Sequence, residues 1–541
     1  MPRAQHRLST LNQPSASSIV SQPTRNCGDD VSQHLRSKTQ VAASQAEMTE
    51  ETLATVTAIE ERQHYYRDLD VRARIREFIG TTAFDAASCE FLAASDENAA
   101  PPFMPYSPRA LNSLLDAGFE ISRSLWERDG LIADFDIEYV NFDNPAETFV
   151  DPERVFGILA PVEETISSLL QQYGIEALHI LSGRGHHFIW RIEQDSAVFR
   201  TLSEIGHGPS SLWTIERELH PPNGRAVPIK LARGFAGLGL LMEFLAHRVK
   251  RIASPLTKIP VELTAVEVGP SAHGREMISI DVSEYGDPLY SRAIRVPFSV
   301  YLKPWQQPWG FDADVLADMQ PLFVIPLQGI DWRDGISTMR NRHLVMDLAA
   351  RAPTKIPDAS YGTGKLLMGY WYSKLAELHA FFYSQEQHPA ERWPETYDRL
   401  ALEILPACVR VALEQPNDLL LRPACIRQLV RVMLAFGWHP RHIAGLICSK
   451  YCREFNWTQF VNVDPATRAD FYTRMFAGLF AAGIDDLVDF NCVSAQEQGM
   501  CTFSNCGFNL LNFKNSALER RAHDKLAHRP FNRLLLSSEH S

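Results

Sequence analysis

The spacing of apolar residues changes character several times along the chain, and those changes mark its elements. Between Ala58 and Gly80, Tyr65, Tyr66, Leu69, Val71, Ile75 and Phe78 recur at turn spacing, which predicts an amphipathic helix. PPFMPYSPRALNS is a proline-rich connection with a helix start at its end. Then come an apolar strand over Gly130–Val140, a helix over about Pro152–Tyr173, and a second strand, ALHILSGRGHHFIWRI, over Ala177–Ile192. Strand, helix, strand is the order of an α/β or α+β core. Residues 228–252 look helical, VELTAVEVG is a further strand candidate, and EMISIDVSEY (276–285) is strand-like and leads into SRAIRVPFSVYLKP (291–304). After about residue 310 the period becomes helical, and a mostly α second domain is expected from about 345 to 510.

Composition adjusts this picture in three places. Residues 1–55 are rich in Ser, Gln, Thr and Ala and poor in aromatics, so they cannot bury much and are expected to stay disordered. A chain of 541 residues, 45% apolar and 22% charged, is of soluble globular type with two to four units. It has neither an apolar run of about 18 residues nor the apolar core of a secretory signal, so no membrane association and a cytoplasmic location are expected. The nine cysteines then read as metal ligands or free thiols.

The net charge of −12 does not mark a nucleic-acid binder, but the average hides a basic C-terminal part. Between Leu419 and Trp457, Arg422, Arg427, Arg431, Arg441, Lys450 and Arg453 face Glu454 alone, and the tail adds Lys514, Arg520, Arg521, Lys525, Arg529 and Arg533. Solvated helix faces and a phosphate-binding surface both fit such charge.

Candidate chemistry begins at IADFDIEY. A strand sends alternate residues to one side, so Asp134, Asp136 and Glu138 share a face where each repels the others. Either that face is solvated at a sheet edge, or something positive belongs there. SGRGHH, Ser182 to His187, interrupts the second strand with two glycines. Such glycines suggest a bulge or a close approach of backbone to a ligand, and an ordinary hairpin turn is the plainer alternative. Backbone N–H groups, the Ser182 hydroxyl, the Arg184 fork and an imidazole suit phosphate oxygens. Asp281 lies between apolar neighbours in ISIDV, and Arg295, Ser299 and Lys303 follow in a basic hairpin. Together these make a metal-dependent nucleotidyl-transfer set: carboxylates on one face can hold two Mg²⁺ or Mn²⁺ ions roughly 3.5–4 Å apart, and cations cover the remaining triphosphate charge.

DFD, then SGRGHHFIW, then IDV and IRVPFSVYLK, over about residues 60–305, resemble the archaeo-eukaryotic primase superfamily. The resemblance implies an α+β fold: a primase-type core with an RRM-like antiparallel sheet and a flanking α/β unit, then a mostly α-helical C-terminal domain. It implies that Asp134, Asp136 and Asp281 hold Mg²⁺ or Mn²⁺, and that Ser182, Arg184, His187, Arg295 and Lys303 bind the nucleotide. Tyr301 stands where the family has histidine, His186 is expected to face outward, and Glu138 lies outside the family motif. No cysteine cluster falls inside the core, so the family's zinc-binding insertion is missing.

RPACIRQLV and GWHPRHIAGLICSKY resemble primase C-terminal helical segments, and the layout of Cys425, Cys492, Cys501 and Cys506 resembles the iron–sulfur domain of the primase large subunit. That implies a [4Fe–4S] cluster or Zn²⁺. The expected organisation is 1–55 disordered, 56–310 catalytic, 311–415 a helical connecting region, 416–510 a basic helical domain with the cysteine site, and 511–541 a basic tail. The implied activity is priming or primer extension on a single-stranded DNA template from NTPs or dNTPs, in a bacterial or mobile-element setting, with a replicative helicase as partner. An end-extending repair polymerase and a non-catalytic nucleic-acid-binding module are the alternatives. YGTGKLLMG lacks the earlier glycine and the following Ser/Thr of a P-loop.

Overall fold

Two sheets of different size organise the protein, and the candidate residues lie where they meet. The computed structural model describes residues 50–80, 87–96, 105–207, 227–264, 276–306, 310–451, 465–502 and 505–527. Twelve strands lie among them: β1 Leu92–Ser95, β2 Pro105–Tyr106, β3 Glu120–Ser124, β4 Gly130–Asn141, β5 Leu178–Leu181, β6 Gly185–Glu193, β7 Val261–Leu263, β8 Glu276–Asp281, β9 Ala293–Arg295, β10 Val300–Tyr301, β11 Leu322–Phe323 and β12 Ile325–Pro326. The larger sheet has the order β12-β5-β6-β4-β8-β7, the smaller β2-β1-β3-β9, and β10 pairs with β11 alone. All pairings are antiparallel except β7 with β8. The class is α+β.

Strand parity divides the larger sheet's two faces. The odd residues of β4, Ala133, Phe135, Ile137 and Tyr139, are buried. His186 of β6 pairs in register with Ile137, and the Phe156 ring meets it edge-on, 5.4 Å between centroids. The helix Pro152–Tyr173 therefore covers this face. Asp151 caps its first turn by accepting from Arg154 N–H, and Gly174, at φ 70°, ends it in the left-handed region that favours glycine. The even residues, including Asp134, Asp136 and Glu138, point the other way.

Several expectations need correcting. The helix expected over 58–80 is two, Glu50–Tyr65 and Leu69–Phe78, because the Asp68 carboxylate accepts from Val71 N–H and starts a new helix. The first of them begins inside the segment expected to be disordered, and residues 1–49 lie outside the described residues. ALHILSGRGHHFIWRI is not one interrupted strand but the hairpin β5–β6, with Leu181 opposite His186.

IRVPFSVYLK is not a hairpin either. β9 joins the smaller sheet beside β3 while β10 pairs with β11, and Phe298 between them takes the left-handed conformation, φ 66°. Strands β11 and β12 fall after residue 310, inside the stretch read as purely helical, and β12 extends the larger sheet beside β5.

The described residues form one compact unit. The helices Pro423–Ala435, Pro440–Tyr451 and Pro465–Ala482 pack on one another and on the sheet-bearing part. Buried ion pairs cross that contact: Arg474 Nε donates to Glu243 Oε2 at 3.0 Å, and Arg427 lies 3.4 Å from Glu262. Among the described residues, no helix is long and apolar enough to cross a membrane.

Candidate active site

One cross-strand row brings three of the candidates together. Asp136 at the centre of β4 lies in register with His187 of β6 on one side and with Asp281 of β8 on the other. Antiparallel partners share a face, so a carboxylate, an imidazole and a second carboxylate stand abreast. Glu138 is one step along β4 on the same face. Asp136, Glu138 and Asp281 each offer an oxygen within 4.8 Å of the others, a set that could hold a metal ion.

Asp134 is not in that set. It is 1% exposed, its carboxylate meets His187 Nδ1 at 3.1 and 3.3 Å, and its backbone N–H and C=O both bond the Tyr285 hydroxyl. Of the expected trio Asp134, Asp136 and Asp281, the structure brings Asp136 and Asp281 together with Glu138, while Asp134 faces His187.

The electrostatics are those of a site awaiting positive charge. Burial pushes the Asp136 carboxyl well above its usual range, and Glu138, Asp134 and Asp281 push it further against the pull of His187. Asp281 is raised for the same two reasons, burial first and then Glu138, although Ser283 N–H donates to its Oδ1 at 2.9 Å. His187 is driven the other way. Burial lowers it, yet Asp136 and Asp134 lift it to about 9. One oxygen of Asp136, Oδ1, is buried with no hydrogen-bond partner. A carboxylate among carboxylates with an unsatisfied buried oxygen is costly unless a cation completes it. An all-oxygen donor set of this kind fits Mg²⁺ or Mn²⁺.

The cations sit on the far side of Glu138. Burial alone would raise that carboxyl, but Arg184, Lys303, Arg295 and His187 hold it at about 2. Arg184, at the hairpin tip, is ion-paired with it. Arg295 is held by Glu120, Nε to Oε1 2.9 Å, and lies 4.7 Å over the Tyr301 ring. Burial and the two nearby guanidiniums lower Lys303 to about 8, with Glu138 opposing.

The hairpin glycines are fixed by contact. A Cβ on Gly185 would stand 1.8 Å from the Ile137 carbonyl oxygen, and one on Gly183 would stand 2.3 Å from a ring carbon of Tyr301. Tyr301 thus seats the hairpin tip against the basic group. Ser182 closes the turn: its N–H donates to the Gly185 carbonyl at 2.9 Å, and its hydroxyl reaches the same oxygen at 3.3 Å.

His186, expected to face outward, is fully buried on the opposite face, 3.0 Å from His179 Nε2. Sequence reasoning also passed over Glu120, which orients Arg295 and accepts from Leu302 N–H at 3.1 Å, and Glu284, a half-buried acid whose Oε1 is buried and unpartnered. Glu284 lies three residues beyond Asp281 in the short turn Ser283–Gly286, and that local proximity was the available signal.

Four of the bases of the C-terminal segment are committed internally. Arg427 and Arg431 are buried against Asp485 and Asp489, Arg441 is buried against Asp470, and Lys450 lies 3.4 Å from Asp398. These groups form neither a solvated face nor a phosphate surface. Arg453, Arg529 and Arg533 lie outside the described residues.

Among the described residues, the expected cysteine ligands Cys425, Cys492, Cys501 and Cys506 do not come together as a close metal-ligand group. Burial pushes Cys408 up to about 12, and Cys501, Cys492 and Cys506 add to the push against a Gln428 hydrogen bond. Cys425, one of the four expected ligands, is fully buried with Cys408 as its neighbouring thiol. Leu510 N–H donates to Cys492 Sγ at 3.4 Å.

No family model, curated protein or solved structure matches the chain.

Proposed function

We propose that the protein is a DNA-templated nucleotidyltransferase, a primase–polymerase with the carboxylates Asp136, Glu138 and Asp281 at its reaction centre. The observation that carries this reading is the meeting, on one sheet face, of the acids Asp136, Glu138 and Asp281 with the cations Arg184, Arg295 and Lys303 gathered beside Glu138. Divalent Mg²⁺ or Mn²⁺ held by the trio would supply charge neutralisation for a 3′-hydroxyl attacking an α-phosphorus and for the departing pyrophosphate. The chain's own residues do the rest. Arg184, Arg295 and Lys303 bind the triphosphate and orient it toward the acids. His187, protonated because Asp134 and Asp136 face it, donates to a phosphate oxygen while Asp134 fixes its ring. Ser182 closes the turn that presents Arg184.

Single-stranded DNA and NTPs or dNTPs are then the partners, and a replicative helicase is the partner the family resemblance implies. A separate cofactor proposal concerns the thiols. Cys408, Cys492, Cys501 and Cys506 influence one another without forming a close ligand group, so the wider spacing of a [4Fe–4S] cluster suits them better than Zn²⁺. Purified protein containing neither iron with sulfide nor zinc would return these cysteines to the core.

The test is incorporation of labelled dNTPs or NTPs on an unprimed single-stranded template. Glu138→Gln is expected to abolish it. Asp134→Asn, which loosens His187 without touching the trio, is expected to cost about 10²-fold, as loss of one positioned hydrogen-bond donor to developing charge does. Equal activity of wild type and Glu138→Gln, or no incorporation by wild type, would overturn the reading.

A further inference from the structure

A second cationic cavity lies on the other side of the β10–β11 ladder. It encloses about 420 Å³ between the helix Glu50–Tyr65, β11 and the start of the helix Arg342–Arg351, and its wall carries Arg62, Arg340, Arg342 and His343 against Glu61. Phe323, also in the wall, pairs in register with Val300 and shares its side of the ladder. Tyr301, the next residue, points to the opposite side, toward the hairpin tip and the acidic trio. A ligand here is therefore not the nucleotide bound over Asp136.

Arg340 distinguishes this cavity. Elsewhere in the described protein the deeply buried guanidiniums of Arg123, Arg427, Arg431 and Arg441 each have a carboxylate. Arg340, half-buried, donates to the Ile336 carbonyl at 3.3 Å and has no carboxylate within ion-pair distance among the described residues. Burial lowers its proton affinity, to about 10, with no neighbouring charge to offset it. Arg342, beside it in the wall, has no ion pair among the described residues either. The helix end is already used, since Asn341 Oδ1 accepts from His343 N–H at 3.0 Å and Leu344 N–H at 3.3 Å. An anion in the cavity would therefore be held by side chains.

Converging guanidinium forks match the oxygens of phosphate, and several cations round one small cavity match a multiply charged anion. The volume suits a few phosphate groups or one nucleotide and falls within the usual range for ligand sites, about 300–1,000 Å³.

We propose that Arg340, Arg342 and His343 form a second phosphate-binding site, occupied by the phosphates of a nucleotide or of a nucleic-acid strand. This goes beyond the polymerase reading and does not depend on it.

The test is calorimetric titration of the full-length protein with inorganic tripolyphosphate, in EDTA so that no divalent ion bridges phosphate to the acidic trio. The double variant Arg340→Gln, Arg342→Gln is expected to weaken binding about tenfold or more, through loss of two charge-assisted contacts. The loss should be the same when Arg184→Gln already weakens the triphosphate contact proposed beside Glu138. Labelled oligo-dT and labelled ATP then separate the sources: a parallel loss with oligo-dT assigns the strand backbone, and a loss with ATP alone assigns the nucleotide. Should the double variant misfold, Arg342→Gln with His343→Asn serves instead and is expected to weaken binding about threefold or more, as loss of weaker, exposed contacts does. No tripolyphosphate binding by wild type, or binding unchanged in the folded variants, would overturn the site. A protein that polymerises nothing yet loses tripolyphosphate in the double variant would refute the polymerase reading and leave this one standing.

Discussion

Two clusters of acids in this protein, one buried and one half-buried, meet opposite fates. Asp485 and Asp489 lie among helices, and Arg431 and Arg427 answer them with a 2.5 Å contact and others of 3.0 to 3.3 Å. Against the upward push of burial, those arginines hold both carboxyls below their usual range. Asp136 and Asp281 lie between strands with no guanidinium on them, and burial and like charge push both upward. The first cluster is complete without help and serves the fold. Among the described residues, the second has only His187, 3.7 Å from Asp136 Oδ1, within ion-pair distance to offset it. That difference separates a structural ion pair from a ligand site more reliably than acidity does.

The contrast can be broken most forcefully at the helical cluster. Arg431→Met removes one partner and strands Asp485, so it is expected to destabilise by about 3 kcal/mol or more in chemical denaturation. Nucleotide incorporation per folded molecule should be unchanged. Asp136→Asn should do the reverse, raising stability by about 1 kcal/mol in chelator through relief of a buried like charge while abolishing incorporation. A stability loss in Asp136→Asn as large as that of Arg431→Met would erase the distinction.

Acid unfolding offers a finer test. Asp485 and Asp489 have depressed folded values, so the stability they contribute is fully present above the unfolded aspartate value, about 3.9, and is lost as pH falls below it. Asp485→Asn should flatten the acid limb of a stability–pH curve. An unchanged limb would mean that the helical pair contributes nothing to acid unfolding.

How much of this could be read from the sequence differs by element. β4 and the helix Pro152–Tyr173 were legible because period 2 and period 3.6 run unbroken there. β11 and β12 were not, since two residues each carry no period and are strands only through their partners. IRVPFSVYLK reads as a hairpin, yet the left-handed turn at Phe298 sends its halves to different sheets.

At the site, parity placed Asp134, Asp136 and Glu138 on one face but could not rank them. Only the pairing of Asp136 with Asp281 and the ion pair of Glu138 with Arg184 decide which acids converge. The buried arginines misled for a related reason. Arg431 finds Asp485 and Asp489 at separations of 54 and 58 residues, beyond any local charge pattern.

The most direct measurement is equilibrium binding of Mn²⁺, read as loss of the free-ion paramagnetic resonance signal, to wild type, Glu138→Gln and Asp134→Asn. Wild type is expected to bind, Glu138→Gln to lose most of that binding, and Asp134→Asn to keep it. Binding that survives Glu138→Gln but disappears in Asp134→Asn, or no binding by wild type at all, would contradict the assignment of Asp136, Glu138 and Asp281 as the cation site.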